Sequence, residues 1–290
     1  WGGGRNSQTR NTAISHKIDK WTGGAKIVNN FGETVTSVSV TSDSMLFAAG
    51  GTNKRTVVYD AGSGEIVAEF IAEFGINAIV CAGEGSDARV ISGSFGGWVR
   101  VYSIALGAEE CVARMSDGEA VHCMAFAEKA SRLAVGGTGS HISLFDVHLP
   151  EVKKGSTVDH ARLQALMTFE TAGGLTVSVS LDADGCLLAA GGEARVVQLW
   201  TVPWHLTTSA KKYPVKGAAP TVQFRTSSTV HALALAASGH LAVGTNETVE
   251  VYLVERGADG SIVGVVTFLT SPTLTQHSPS RLILTLTLTQ

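Results

Sequence analysis

An all-β fold built from repeated four-stranded antiparallel sheets is what this sequence predicts, and three observations predict it. A glycine is followed five times by an aromatic residue that closes an apolar run. The spacing is nine residues from Gly50 to Tyr59, Gly93 to Tyr102, Gly136 to Phe145 and Gly191 to Trp200, and eight from Gly244 to Tyr252. Around each pair the same four short runs recur in the same order, 41 to 55 residues apart. The chain holds 33 Gly against 6 Pro, as many tight turns and few rigid linkers require. Recurrence at this period is the mark of a repeat architecture.

The first run of each unit covers 35–40, 76–81, 121–126, 176–181 and 230–235. Its third residue is always small (Ser37, Ala78, Cys123, Ser178, Ala232), which places this strand close to a neighbouring sheet. The second run ends in the glycine, and its nearly continuous apolar character predicts a strand buried on both faces. The third run ends in the aromatic. One and three residues before it the side chain is almost always Val, Ile or Leu, whereas two before it stands Val57, Arg100, Ser143, Gln198 or Glu250. That period-two alternation, with one tolerant face, predicts a strand near an outer surface. The fourth run (66–70, 111–115, 166–169, 222–225 and 263–269) is looser, as an outermost strand allows. Short turns join the second run to the third at 52–55, 95–97, 138–140, 193–194 and 245–247, with Gly and Asn expected to supply positive φ.

A four-stranded meander apolar on both faces cannot bury itself alone, and radial stacking of copies solves that problem. The expected fold is therefore a β-propeller of five full repeats plus an N-terminal half-blade, with strands at 12–19 and 25–31. The order of strand, Ser/Gly-Gly, turn, then apolar-x-apolar-aromatic-Asp (Tyr59-Asp60, Phe145-Asp146) resembles the WD-repeat family over about residues 26–269. Two family features depart. The Gly-His pair before the first strand is missing, since Gly239-His240 falls in a different turn, and so is the Asp in the turn before the third strand. The resemblance implies a propeller, closed in most members by seven blades, that assembles protein complexes.

Residues 1–25 are read as a partial N-terminal blade or linker, 26–270 as the propeller, and 271–290 as a disordered low-complexity tail whose run at 283–289 has an aggregation-prone pattern. The chain opens on Trp1, so the expectation is a C-terminal module of a larger polypeptide, with a six-bladed ring as the alternative.

Hydrophobic residues make up 44% and charged residues 16%, a globular composition. The formal net charge of −3, from 22 basic and 25 acidic residues, argues against a nucleic-acid partner. Cys81, Cys111, Cys123 and Cys186 form no C-x-x-C pair; they read as structural thiols in a reducing, cytoplasmic setting. No run of about 18 apolar residues marks a membrane span. Motifs for phosphate cradling, metalloprotease or serine-hydrolase chemistry are missing, so no enzyme, no metal and no cofactor is expected. His122 and His231 occupy one repeat position, which reads as shared packing. The acceptor pattern Asn246-Glu-Thr248 reads as chance.

Two surfaces are candidates for protein partners or peptides, including other domains of the same parent chain. Turns joining second and third strands converge on one face around the channel, carrying Lys54, Arg55, Phe95, Trp98, His141 and Arg195; aromatic and arginine side chains dominate interface energetics. The opposite face carries two long insertions, 151–164 and 203–220, with Lys153, Lys154, Arg162, Trp204, Lys211, Lys212, Tyr213 and Lys216. The leading expectation is a non-enzymatic interaction scaffold. The alternative is a phosphoinositide- or anionic-membrane-binding propeller using the basic insertions, although Phe224-Arg225-Thr226 is only a fragment of the Phe-Arg-Arg-Gly motif of such propellers. A channel-mouth enzyme is a third reading, with His141 and Glu193 as its candidates.

Overall fold

In the computed structural model, residues 33–115, 118–151, 161–203, 215–216, 219–258 and 260–270 are described, with side chains for all but 86, 215–216 and 268–270. The expected N-terminal half-blade and the tail lie outside them. Blade 1 comprises β1 (Val35–Val40), β2 (Leu46–Gly51), β3 (Arg55–Asp60) and β4 (Ile66–Ile71). Blade 2 comprises β5 (Ile76–Ala82), β6 (Arg89–Ser94), β7 (Trp98–Ser103) and β8 (Ala108–Arg114). Blade 3 has β9 (Val121–Ala127), β10 (Arg132–Gly137), β11 (His141–His148) and β12 (Arg162–Glu170). In blade 4, β13 (Thr176–Leu181), β14 (Leu187–Gly192) and β15 (Val196–Thr201) are followed by β16 (Val215–Lys216) and then β17 (Val222–Arg225). Blade 5 is β18 (Val230–Leu235), β19 (His240–Thr245), β20 (Val249–Arg256) and β21 (Ile262–Thr270).

Within each blade consecutive strands pair antiparallel, so the five repeats read from the residues are five meanders. Blade 3 gains a fifth strand, because β16 of the second insertion pairs parallel with Met167 and Thr168 of β12. The inner strands β1, β5, β9, β13 and β18 pack side by side in chain order. This is a β-propeller arrangement.

The core lies between blades. Ala48, Val58 and Phe70 of blade 1 meet Ile76, Ile79, Val90 and Tyr102 of blade 2 in one cluster, and Leu144 and Phe169 of blade 3 meet Val179, Leu188 and Trp200 of blade 4 in another. Ring pairs cross three boundaries: Phe70 with Tyr102, Phe169 with Trp200 and Phe224 with Tyr252, at centroid distances of 4.4, 5.6 and 4.4 Å. The aromatic that ends each third strand therefore faces the blade before it, and the residues one and three before it face the blade after.

That geometry corrects one expectation. The tolerant position two before the aromatic does not face an outer surface: Ser143 and Gln198 are buried. It looks back toward the linker of the preceding blade, where Gln198 Oε1 accepts the Ala172 N–H at 2.7 Å. A polar residue is tolerated at Gln198 because the linker offers a hydrogen-bond partner there, not because water does.

The repeated glycine also acquires a reason. A Cβ on Gly50 would stand 2.5 Å from Ile79 Cδ1, and one on Gly93 would stand 2.4 Å from Val121 Cγ1, each in the inner strand of the next blade. In the last blade, a Cβ on Gly244 would meet, among the described residues, only Ala232, at 3.6 Å. The small third residue serves the same close approach: Cys123 Sγ donates to the Thr176 carbonyl of the next inner strand at 3.4 Å.

Candidate functional site

All five inner strands carry a β-bulge at their second residue. Val35 and Ser37 pair with Gly51 and Gly50, skipping Thr36, and the pattern repeats around Asn77, His122, Val177 and His231. A bulge re-aims the side chain it displaces. It here sets five such residues at the channel end where the turns between second and third strands emerge. Thr36 Oγ donates to the carbonyl of Ile76, and Asn77 Nδ2 donates to that of Val121 at 2.7 Å, so each leans onto the next blade. His231 bonds Asn246 in the adjacent turn. His122 meets the edge of Phe95 at 5.9 Å; burial pushes its pKa down, and the Glu193 carboxylate partly opposes that.

Around this mouth the turn-face candidates are placed as follows. Lys54 and Arg195 are exposed at the tips of their turns, with φ of 65° and 57°. Gly97 takes the left-handed residue in blade 2, as expected, whereas in blades 1 and 4 these two cations take it rather than Gly or Asn. Asn53 has another task, accepting the Arg55 N–H at 3.1 Å. Arg55 is ion-paired with Glu69 across its own blade. Phe95 is 46% exposed beside the mouth. Next to it stands Phe74, 43% exposed, its ring where a Cβ on Gly96 would fall. Trp98 is half-buried, its ring flanked by the guanidinium groups of Arg100 and Arg114 at 5.5 and 5.0 Å, all within blade 2. His141 Nδ1 lies 3.5 Å from Glu119 Oε2. The structure thus brings Phe95 to the bulge ring and leaves Lys54, Arg195 and Trp98 on separate blades. The residues missed by sequence reasoning are Phe74 and the bulged positions; the shared register of His122 and His231 was the available signal.

On the opposite face, Lys153, Lys154, Trp204, Lys211, Lys212 and Tyr213 lie outside the described residues. Arg162 is exposed at the start of β12, and the backbone of Lys216 pairs with Thr168. The roots of both insertions are held by buried arginines. Arg89, 1% exposed, donates through Nη2 to the Pro150 carbonyl at 2.6 Å, and Arg132 does so to Pro203 at 3.0 Å. Each arginine opens a second strand and reaches the residue where the next blade's insertion begins. Arg89 is also paired with Glu110 at 3.0 Å, and Arg132 also donates to the Gly185 carbonyl at 2.9 Å. Among the described residues no group of three or more His, Cys, Asp or Glu side chains could hold a metal ion.

Neither a family model nor a curated protein sequence matches this chain. Its fold, in contrast, matches 1655 chains of solved structures, the breadth expected of a scaffold on which many functions are built. One is a chain in the crystal structure of the mitotic checkpoint complex, with 18% identity and a TM-score of 0.57, covering 80% of this chain and 65% of that one. Another is in Chaetomium thermophilum Polycomb Repressive Complex 2 bound to GSK126, with 16% identity and a TM-score of 0.65, covering 81% of this chain and 55% of that one. This chain thus spans less than two thirds of the length of either. At these identities the likeness is one of fold, and the fold is the β-propeller.

Proposed function

We propose that this chain is a WD-repeat-like, non-enzymatic interaction scaffold that receives a protein partner or peptide at the turn-face mouth. The observation that carries the reading is the exposure of Phe74, whose ring lies over Gly96, and of Phe95, edge-on to His122, on a rim whose tips at Lys54 and Arg195 keep left-handed backbones without glycine. Exposed aromatic anchors next to a polar ring are what a small protein interface needs at its centre. The two similar structures named above are both of complexes by their own descriptions, which supports protein partners. Four free thiols support a reducing, cytoplasmic setting.

The test is affinity capture with mass spectrometry on the full chain, comparing wild type with Phe74→Ala/Phe95→Ala and with Lys54→Gly/Arg195→Gly. A partner captured by wild type and lost from either variant, with thermal unfolding unchanged or raised, is the expected outcome. Equal capture by all three would overturn the turn-face assignment.

A further inference from the structure

In blades 1 to 4 one repeated bond ties the turn after the second strand to the linker before the inner strand. Thr52, Phe95, Thr138 and Glu193 donate their N–H groups to the carbonyls of Thr34, Gly75, Ala120 and Leu175. Each turn residue is thereby set beside the linker residue that precedes its acceptor: Glu33, Phe74, Glu119 or Gly174. Contacts agree. Thr52 Oγ1 donates to Glu33 Oε2 at 2.9 Å, and a Cβ on Gly174 would stand 3.6 Å from Glu193 Cβ. In blade 2 both members are aromatic: a Cβ on Gly75 would stand 3.1 Å from the Phe95 ring, and Phe74 lies over Gly96.

The inner rim of these blades therefore sets three carboxylates around two exposed rings, with no Lys or Arg among the paired positions. Among the described residues Glu33 and Glu193 accept only uncharged donors, Thr52 Oγ1 at 2.9 Å and the Leu175 N–H at 3.4 Å. Glu119 Oε2 is buried without a hydrogen bond, with His141 Nδ1 3.5 Å away. The Glu193 charge acts on the His122 imidazole, whose ring Phe95 meets at 5.9 Å, so blades 2 and 4 border one space. Lys54 and Arg195 belong to a wider circle. Their N–H groups bond back to Gly51 and Gly192, and both residues immediately precede third strands, one strand farther from the channel.

On the turn-face reading above, on which this rests, we propose that the segment received at the mouth is basic. It presents a Lys or Arg beside an apolar residue, the charged end at the Glu119 and Glu193 carboxylates and the apolar neighbour on Phe74 and Phe95. Covering an exposed ring with an apolar group is favourable, and an alkyl stem can lie along the ring while its charged head stays beside the carboxylates. Carboxylates without a cation select a partner by charge, and an acidic segment would set like charges together on the same rim.

Fluorescence anisotropy on the intact chain tests this, with labelled peptide pools that share randomised apolar flanks and differ in a central Arg, Lys, Leu or Glu. The Arg pool, the Lys pool or both are expected to bind roughly tenfold tighter than the Leu and Glu pools, a preference that high ionic strength narrows. Glu119→Gln/Glu193→Gln should abolish the preference, and Phe74→Ala/Phe95→Ala should abolish binding of every pool. Binding that needs the rings but shows no preference for a cation overturns this proposal and leaves the turn-face reading standing, as does a preference that survives the glutamine substitutions. Binding of no pool, or binding indifferent to the rings, overturns both. Should Glu119→Gln destabilise the fold, Glu193→Gln alone decides, because that residue is exposed on its turn; an unchanged preference there sinks the proposal.

Discussion

The Ser37 hydroxyl accepts the Ile79 N–H at 2.9 Å, across the boundary between blades 1 and 2. Ser39 does the same for Cys81 at 2.9 Å, and Ser178 and Ser180 do so for Leu233 and Leu235, at 3.0 Å each, between blades 4 and 5. An inner strand pairs with its own blade along one edge only, and these serines satisfy donors on the other. Ser37→Ala and Ser39→Ala are each expected to cost about 1 kcal/mol. The pair at 178 and 180 should add independently, because the two boundaries share no partner. Urea unfolding measures both; losses near zero would show that water replaces the hydroxyls without cost.

Arg89 and Arg132 hold equivalent carbonyls, and Arg89 is also paired with Glu110, whose side chain is 4% exposed. Arg89→Met strands that charge and is expected to cost about 3–5 kcal/mol. Arg132→Met removes charge-assisted bonds to two carbonyls and should cost about 2–3 kcal/mol. If Arg89→Met/Glu110→Gln proved no more stable than Arg89→Met in chemical denaturation, the role given to Glu110 would be wrong.

Lys54 and Arg195 hold left-handed backbones that glycine adopts without steric penalty. Lys54→Gly and Arg195→Gly should each leave stability unchanged or raise it by up to about 1 kcal/mol, the relief of strain being partly offset by glycine's larger entropy loss. Gly97→Ala should do the reverse, since its φ is 76° and a Cβ there would stand 2.5 Å from the Glu119 carbonyl oxygen. Thermal unfolding of the three variants checks the sign of each.

Burial holds the His122 pKa below its ordinary value, so the unfolded chain binds a proton there more readily than the folded one. Stability is therefore lost as pH falls below about 6.5, and the loss levels off once pH passes below the folded value. His122→Gln should flatten the melting temperature between pH 7 and pH 5 relative to wild type. An unchanged slope would show that the imidazole stays solvated.

The strands were legible because their pattern reports two periodicities at once: alternation along each strand and recurrence along the chain. Val99-Arg-Val-Tyr102 announced a third strand before any contact was known. The orientation of Arg100 was not legible, since a polar side chain facing a linker looks in sequence like one facing water. The bulge at His122 was hidden for a similar reason: a one-residue irregularity leaves the strand's composition unaltered. Arg89 and Arg132 were hidden too, because their partners are carbonyls of Pro150 and Pro203, 61 and 71 residues away, and a backbone carbonyl carries no residue identity.

Local side-chain chemistry was thus sufficient to specify four strands per repeat, their order and the glycine that ends the second. Each follows from burial on a pleated surface and from one close approach repeated at four of the five glycines. Which residues meet across blades was a matter for the assembled fold alone. The Phe74 ring over Gly96, the Phe95–His122 contact and the serine bonds all arise where separate repeats converge, and convergence depends on the angle between sheets, which no single repeat encodes.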